Sequence, residues 1–197
     1  MKTKWVLLLL IASFSSTILF AQDEEEEKNG GFKKENMFIG TALSLGFSSG
    51  VFQIGANPEI GYSITKWLDA GVSTNINYTS YRFIGYSDRV LNYGGGTFVR
   101  IWPVKFMFLS ALPEYNFITI TRKYTNGSPS IKEKFEAGSF LLGAGYGNRI
   151  VGQSYSYFAI MFDAMNNANS PYRDSENRAL PIFRAGFAIY LNSNKYR

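Results

Sequence analysis

The stretch MFIGTALSLGF, residues 37–47, decides the fold. Its odd positions are Met37, Ile39, Thr41, Leu43, Leu45 and Phe47, and its even positions are Phe38, Gly40, Ala42, Ser44 and Gly46. One face is large and apolar and the other mostly small, so the period is two, that of a strand. The pattern recurs in both directions of parity along the chain. Phe52, Ile54, Ala56, Pro58, Ile60, Tyr62 and Ile64 alternate with Gln53, Gly55, Asn57, Glu59, Gly61 and Ser63. Leu68, Ala70, Val72, Thr74, Ile76 and Tyr78 alternate with Asp69, Gly71, Ser73, Asn75, Asn77 and Thr79. Near the end, Phe183, Ala185, Phe187, Ile189 and Leu191 alternate with Arg184, Gly186, Ala188 and Tyr190. Nothing after Asn36 reads as a helix.

Alternation alone fits two architectures. In a soluble sandwich the large apolar face points into a core; in a membrane barrel it points at lipid, and the small or polar face fills the lumen. Three features favour the barrel. Eight segments are predicted, near residues 36–47, 52–65, 67–81, 90–102, 104–121, 133–147, 151–163 and 180–192, and most exceed the roughly five or six residues of soluble strands. Tilted strands that cross a bilayer need about 9 to 11 residues. The connections between them alternate in length: 66, 103 and 148–150 are short, whereas 82–89, 122–132 and 164–179 are longer, with only 48–51 against the trend. Trp67 and Trp102 both adjoin tight turns, where amphipathic rings mark a membrane interface. The expected fold is therefore all-β: an eight-stranded antiparallel up-and-down transmembrane barrel with short periplasmic turns and longer outer loops. An even strand count closes the sheet and leaves no edge unpaired in lipid. Eight strands enclose an interior that side chains just fill.

Composition narrows the chemistry. The 197 residues contain no Cys and no His. Disulfide frameworks, thiolate zinc sites and thiol nucleophiles are excluded, as are Ser-His-Asp and Cys-His catalysis. Any catalytic set would have to be built from Ser, Tyr, Lys and carboxylates, and no convergent set is visible. The runs Gly94–Gly96 and Gly143, Gly145, Gly147 lack the strand–turn–helix setting of a phosphate-binding loop; in a small barrel such glycines relieve crowding. No catalytic, cofactor or metal residues are assigned.

Three zones follow along the chain. Lys2 and Lys4, the apolar run of residues 6–20 and Ala21 make residues 1–21 a secretory signal peptide, the run being shorter than the roughly 18 to 20 residues of a spanning helix. Residues 22–35 form an acidic tail, opened by DEEEEK at 23–28, a like-charge block that favours a solvated segment. Residues 36–197 are the barrel. The formal charge of +5 divides into +2 for the signal, −4 for the acidic block and about +7 for the rest.

Three stretches carry a resemblance: ANPEIGYSITKWLDAGVSTNINY (56–78), YGGGTFVRIW (93–102) and FRAGFAIYL (183–191). In pattern, over roughly residues 36–192, the chain resembles the small eight-stranded outer-membrane β-barrel proteins of the OmpA/OmpX and PorT-like kind of Gram-negative bacteria. That resemblance implies export to the cell outer membrane and partners among outer-membrane lipid, lipopolysaccharide and the barrel-assembly machinery. Such barrels often finish on an aromatic residue; here residues 192–197 follow the last alternating position, which moves the assembly signal to Tyr190 and Leu191.

Parity places Glu59, Asp69 and Arg184 on the lumen face, with Arg100 if Thr97, Val99 and Ile101 face lipid. Glu114 joins them only if Phe106 and Phe108 turn inward or a bulge intervenes. Charges in a narrow dry interior are expected to pair, giving a structural network, with a gate or proton path as the alternative. Arg122, Lys123, Lys132 and Lys134 flank the third outer loop and Arg173, Asp174, Glu176 and Arg178 lie in the fourth; such cations suit phosphates of surface glycolipid. No basic stripe with interleaved aromatics points to nucleic acid. The expected function is a non-enzymatic outer-membrane barrel protein with a plugged lumen, in envelope structure, surface interaction or as a secretion accessory. A narrow channel for ions or small solutes is the alternative.

Overall fold

In a computed structural model the described residues are 32–48, 50–173 and 176–191, the side chains of 45–48 excepted. The signal peptide and the acidic block lie outside them, as do Asp174 and residues 192–197. The described residues form eight strands: β1 Met37–Ser48, β2 Val51–Ser63, β3 Leu68–Phe83, β4 Tyr86–Val104, β5 Met107–Tyr124, β6 Ile131–Gly147, β7 Tyr155–Asp163 and β8 Ile182–Tyr190. Each pairs antiparallel with its chain neighbour, and β1 pairs with β8 through Phe38↔Tyr190 to Leu43↔Ala185, so the sheet closes into a barrel. Closure satisfies every strand edge along the shared height of the wall.

Period two carries through to burial. On β7 Tyr155, Tyr157, Ala159, Met161 and Asp163 are buried while the residues between them are exposed. On β5 the alternation runs from Phe108 to Ile118. Large apolar side chains face out, with Leu43, Leu109 and Phe183 each more than half exposed, whereas Ser63, Asp69 and Asn116 inside are fully buried. The outer surface is thus apolar where a soluble domain's is mostly polar, while the interior mixes these polar groups with buried rings such as Phe38, Phe98 and Phe108.

The strand ends differ from the sequence expectation in an instructive way. At the end where β1 starts and β8 finishes, the connections span residues 64–67, 105–106 and 148–154; at the other they span 49–50, 84–85, 125–130 and 164–181. The extra length expected in outer loops is present mostly as strand. β3 reaches Phe83, β4 starts at Tyr86 and β5 runs to Tyr124, so the predicted loop at 82–89 is a two-residue hairpin turn. Gly85, at φ 89°, supplies the left-handed conformation such a turn demands. Conversely β7 starts at Tyr155, not at residue 151, because residues 148–154 turn through Gly152 at φ 85°. The result is a wall of uneven height: β3 to β6 have 16, 19, 18 and 17 residues, β7 and β8 only 9.

A short turn precedes β1. Lys34–Asn36 form one 3-10 turn; Lys33 N–H donates to the Tyr62 hydroxyl at 3.0 Å, and Asn36 Nδ2 donates to the Ser63 carbonyl at 3.0 Å. Residues 33–35, expected as the end of a solvated tail, are thus tied to β2.

Candidate functional site

The chemistry of this chain is concentrated in the lumen, and parity puts it there. Even positions of β4, β5 and β8 and odd positions of β2, β3 and β7 point inward, which brings Glu59, Asp69, Arg100, Glu114 and Arg184 inside, each at most 8% exposed. They form three separate stations along the axis.

At the floor, near the termini, Asp69 pairs with Arg149 rather than with any arginine expected from the strand pattern. Arg149 comes from the 148–154 connection and folds back under the barrel. Its guanidinium also donates to Ser63 Oγ at 2.9 Å and to the Lys66 and Thr65 carbonyls at 2.7 and 3.3 Å. Ser63 Oγ donates to Asp69 at 2.7 Å and meets the Tyr190 hydroxyl at 2.8 Å. Arg149, Ser63 and, through Ser63, Tyr190 are thereby tied to one buried carboxylate.

Trp102 belongs to this station, which corrects its expected place at the membrane interface. It is 3% exposed, its Nε1 donates to Asp69 Oδ2 at 2.8 Å, and Arg149 lies over its ring at 5.3 Å. Adjacency to a turn does not choose a face; parity does, and Trp102 shares the parity of Arg100. Trp67, within the 64–67 turn, is half exposed.

At mid-height Arg100 grips Glu59 with two bonds, 2.8 and 2.5 Å, the fork geometry that suits guanidinium and carboxylate. Phe98, Phe108 and Tyr157 stack around the cation at 4.6, 5.6 and 4.7 Å from their ring centres. Higher up, Glu114 accepts from Asn116 at 2.7 Å, Asn116 accepts from Asn75 at 2.9 Å, and Arg184 approaches Glu114 at 4.0 Å. Glu114 faces inward because Phe108 does, being 2% exposed; Phe106 sits in the 105–106 connection and is 49% exposed, and a register irregularity between Ile101 and Val104 absorbs the offset.

At the other opening, residues 164–173 drop Ser170 and Tyr172 into the barrel, both buried. Ser170 meets Ser139 at 3.1 Å, and Arg173 donates to the Asp163 carbonyl at 2.9 Å. Burial, reinforced by the Glu114 charge and opposed by Arg184, pushes the Tyr172 hydroxyl well above the ordinary phenol range, so it remains protonated. Asp163 is missing from the residues expected in the lumen, although the alternation of β7 carries its signal; Arg149 and residues 164–173 had no sequence signal, because neither lies on a strand.

Aromatic rings fit inside so narrow a tube because glycines face them. Phe38 lies opposite Gly61, Phe98 opposite Gly71, Phe108 opposite Gly145 and Tyr157 opposite Gly186. A Cβ at any of these glycines would collide with its partner ring, so large and small residues alternate across the strands and fill the lumen. Gly145→Ala is therefore expected to destabilise the barrel by about 1–3 kcal/mol through overpacking on Phe108, measured as a lower denaturant midpoint. An unchanged midpoint would mean that the ring has room to move. Between the mid-height and upper charges lies a cavity of about 10 Å³, bounded among others by Glu59, Arg100, Tyr157 and Arg184, enough for one water.

No family model matches the chain, and no curated protein is similar to it in sequence. Among solved structures it is similar to Ail, the attachment invasion locus protein of Yersinia pestis, at 11% identity and TM-score 0.45 over 78% of this chain and 96% of that one. It is also similar to the N-terminal β-barrel domain of Pseudomonas aeruginosa OprF (13%, TM-score 0.36, 78% and 94%) and to the translocator domain of the autotransporter NalP from Neisseria meningitidis (8%, TM-score 0.41, 90% and 95%). By its own strand pairing the chain is an eight-stranded antiparallel up-and-down β-barrel with a side-chain-filled lumen.

Proposed function

We propose that this chain is a non-enzymatic outer-membrane β-barrel protein that works by its presence in the envelope and by the surface it displays, with the termini on the periplasmic side. One observation carries the reading: the outward face is apolar over the length a bilayer needs. Outward positions are apolar, small or Thr from Leu68 to Tyr78 on β3, Leu91 to Ile101 on β4, Met107 to Phe117 on β5 and Gly138 to Tyr146 on β6. These runs match the roughly 9 to 11 residues of a tilted spanning strand. Aromatic side chains stand at both margins, with Tyr93 stacked on Phe117 at 5.5 Å near one and Phe106 beside Tyr146 at 6.1 Å near the other, as interface girdles do. Outer-membrane lipid, lipopolysaccharide and the barrel-assembly machinery are the partners this reading entails. Membrane fractionation tests it. The protein is expected to resist carbonate extraction and to migrate differently on gels before and after boiling; release by carbonate with no heat-dependent shift would sink the reading.

A closed lumen, rather than a conducting one, is supported by the three charge stations, the plugging loop and the one-water cavity. Each of Glu59, Asp69 and Glu114 faces an arginine, which suits structural pairing better than acid–base work. In planar bilayers the refolded protein is expected to leave the membrane insulating. Reproducible unitary conductance steps would favour the channel alternative instead.

A further inference from the structure

Above the apolar belt the tall side of the wall, β3 to β6, changes character abruptly. Its outward positions there include Arg82, Arg89, Lys123, Lys132 and Lys134, all exposed and none in an ion pair among the described residues. The register assembles them into one patch. Arg89 pairs across to Thr121 and Thr121 to Lys132; Leu91 to Thr119 and Thr119 to Lys134; Arg82 to Ser87 and Ser87 to Lys123. Adjacent strands are about 4.8 Å apart, so Arg89 and Lys132 stand about 10 Å from each other on one surface.

Charge is sorted by face. The carboxylates of the same segment, Asp88 and Glu133, have the opposite, inner parity, and Asp88 is held there by Arg122 at 2.8 and 2.7 Å. The outward acid nearest the patch is Glu136, one row lower, accepting from Tyr115 at 2.8 Å. Directly beneath the cations lies the row Ile76, Tyr93 and Phe117, which Glu136 completes on β6. On the short side, the outward residues of β7 and β8 nearest this end are Phe162 and Phe183, with no outward cation on either strand.

We propose that this patch binds the phosphate groups of an anionic glycolipid of the outer leaflet, whose acyl chains lie along the apolar belt below. The proposal rests on the outer-membrane reading and names its lipid contact. The sidedness favours this occupant. A peptide or polysaccharide bound from above would meet the rim or the inner face, whereas these cations point sideways, at headgroup height, continuous with a surface made for acyl chains.

The test titrates bisphosphorylated lipid A, and in parallel its fully dephosphorylated form, into the mature full-length protein in zwitterionic micelles. Wild type is expected to bind the phosphorylated lipid roughly a hundredfold tighter than the R89Q/K132Q/K134Q variant, about a factor of five for each cation removed, with affinity falling as salt rises. The dephosphorylated lipid is expected to bind wild type as weakly as the variant binds the phosphorylated one, and millimolar inorganic phosphate to displace little. Lys105→Gln, at the opposite end, is expected to change nothing. Equal binding of the two lipids by wild type, or of wild type and the folded triple variant to the phosphorylated lipid, overturns the proposal while leaving the barrel reading intact. A protein that shows no heat-modifiable barrel at all overturns both.

Discussion

Arg149→Ala is expected to cost the barrel about 3–5 kcal/mol, because it strips the counter-charge from a carboxylate that has no access to water. Asp69 is fully buried and keeps only the neutral donors Ser63 and Trp102 once the guanidinium is gone. The same deletion releases the Lys66 and Thr65 carbonyls and the 148–154 connection, so the floor loosens together with the ion pair. Denaturant unfolding of the protein in lipid vesicles measures the loss, and reduced heat resistance on gels reports it qualitatively. The double variant Asp69→Asn with Arg149→Met separates charge from packing. It removes both charges and is expected to recover most of the stability. If Arg149→Ala unfolds with the wild-type midpoint, the floor contributes nothing and the pair is incidental.

Leu142→Arg is expected to cost about 2–4 kcal/mol, the penalty for a guanidinium on the lipid face at the bilayer midplane. Leu142 is 43% exposed and lies midway along the outward apolar run of β6. In a water-soluble barrel the same substitution would be close to neutral, since an exposed surface change away from special features costs under about 0.5 kcal/mol. Thr121→Arg, also outward but level with Arg89 and Lys132, is expected to be nearly neutral in lipid. The contrast between the two positions maps the edge of the hydrocarbon layer. Equal, small effects at both would remove the main support for a membrane-embedded wall.

Much of the site was legible as parity. Glu59, Asp69, Arg100 and Arg184 were assigned inward by counting in twos, and period two is fixed locally by the extended backbone. The pairing among them was not legible. Asp69 and Arg100 are direct cross-strand neighbours, yet Asp69 takes Arg149 and Arg100 takes Glu59. Which arginine meets which carboxylate depends on strand stagger around the closed barrel and on a loop that folds back, both of which sum contributions from the whole sheet. Trp102 shows the limit of positional rules: its place beside a turn suggested lipid headgroups, while its parity, equally readable, put it against Asp69.

The sequence by itself determined the strand number, the antiparallel meander, the apolar outer face and the inward parity of the lumen charges, because alternation and turn residues act over a few neighbours. Tertiary structure decided the rest: the uneven height of the wall, the plug formed by Ser170 and Tyr172, the closure by Arg149, and the gathering of Arg89, Lys132 and Lys134 into one patch. These depend on register between strands distant in the chain, which hydrogen-bond pairing across the sheet fixes only when the barrel closes.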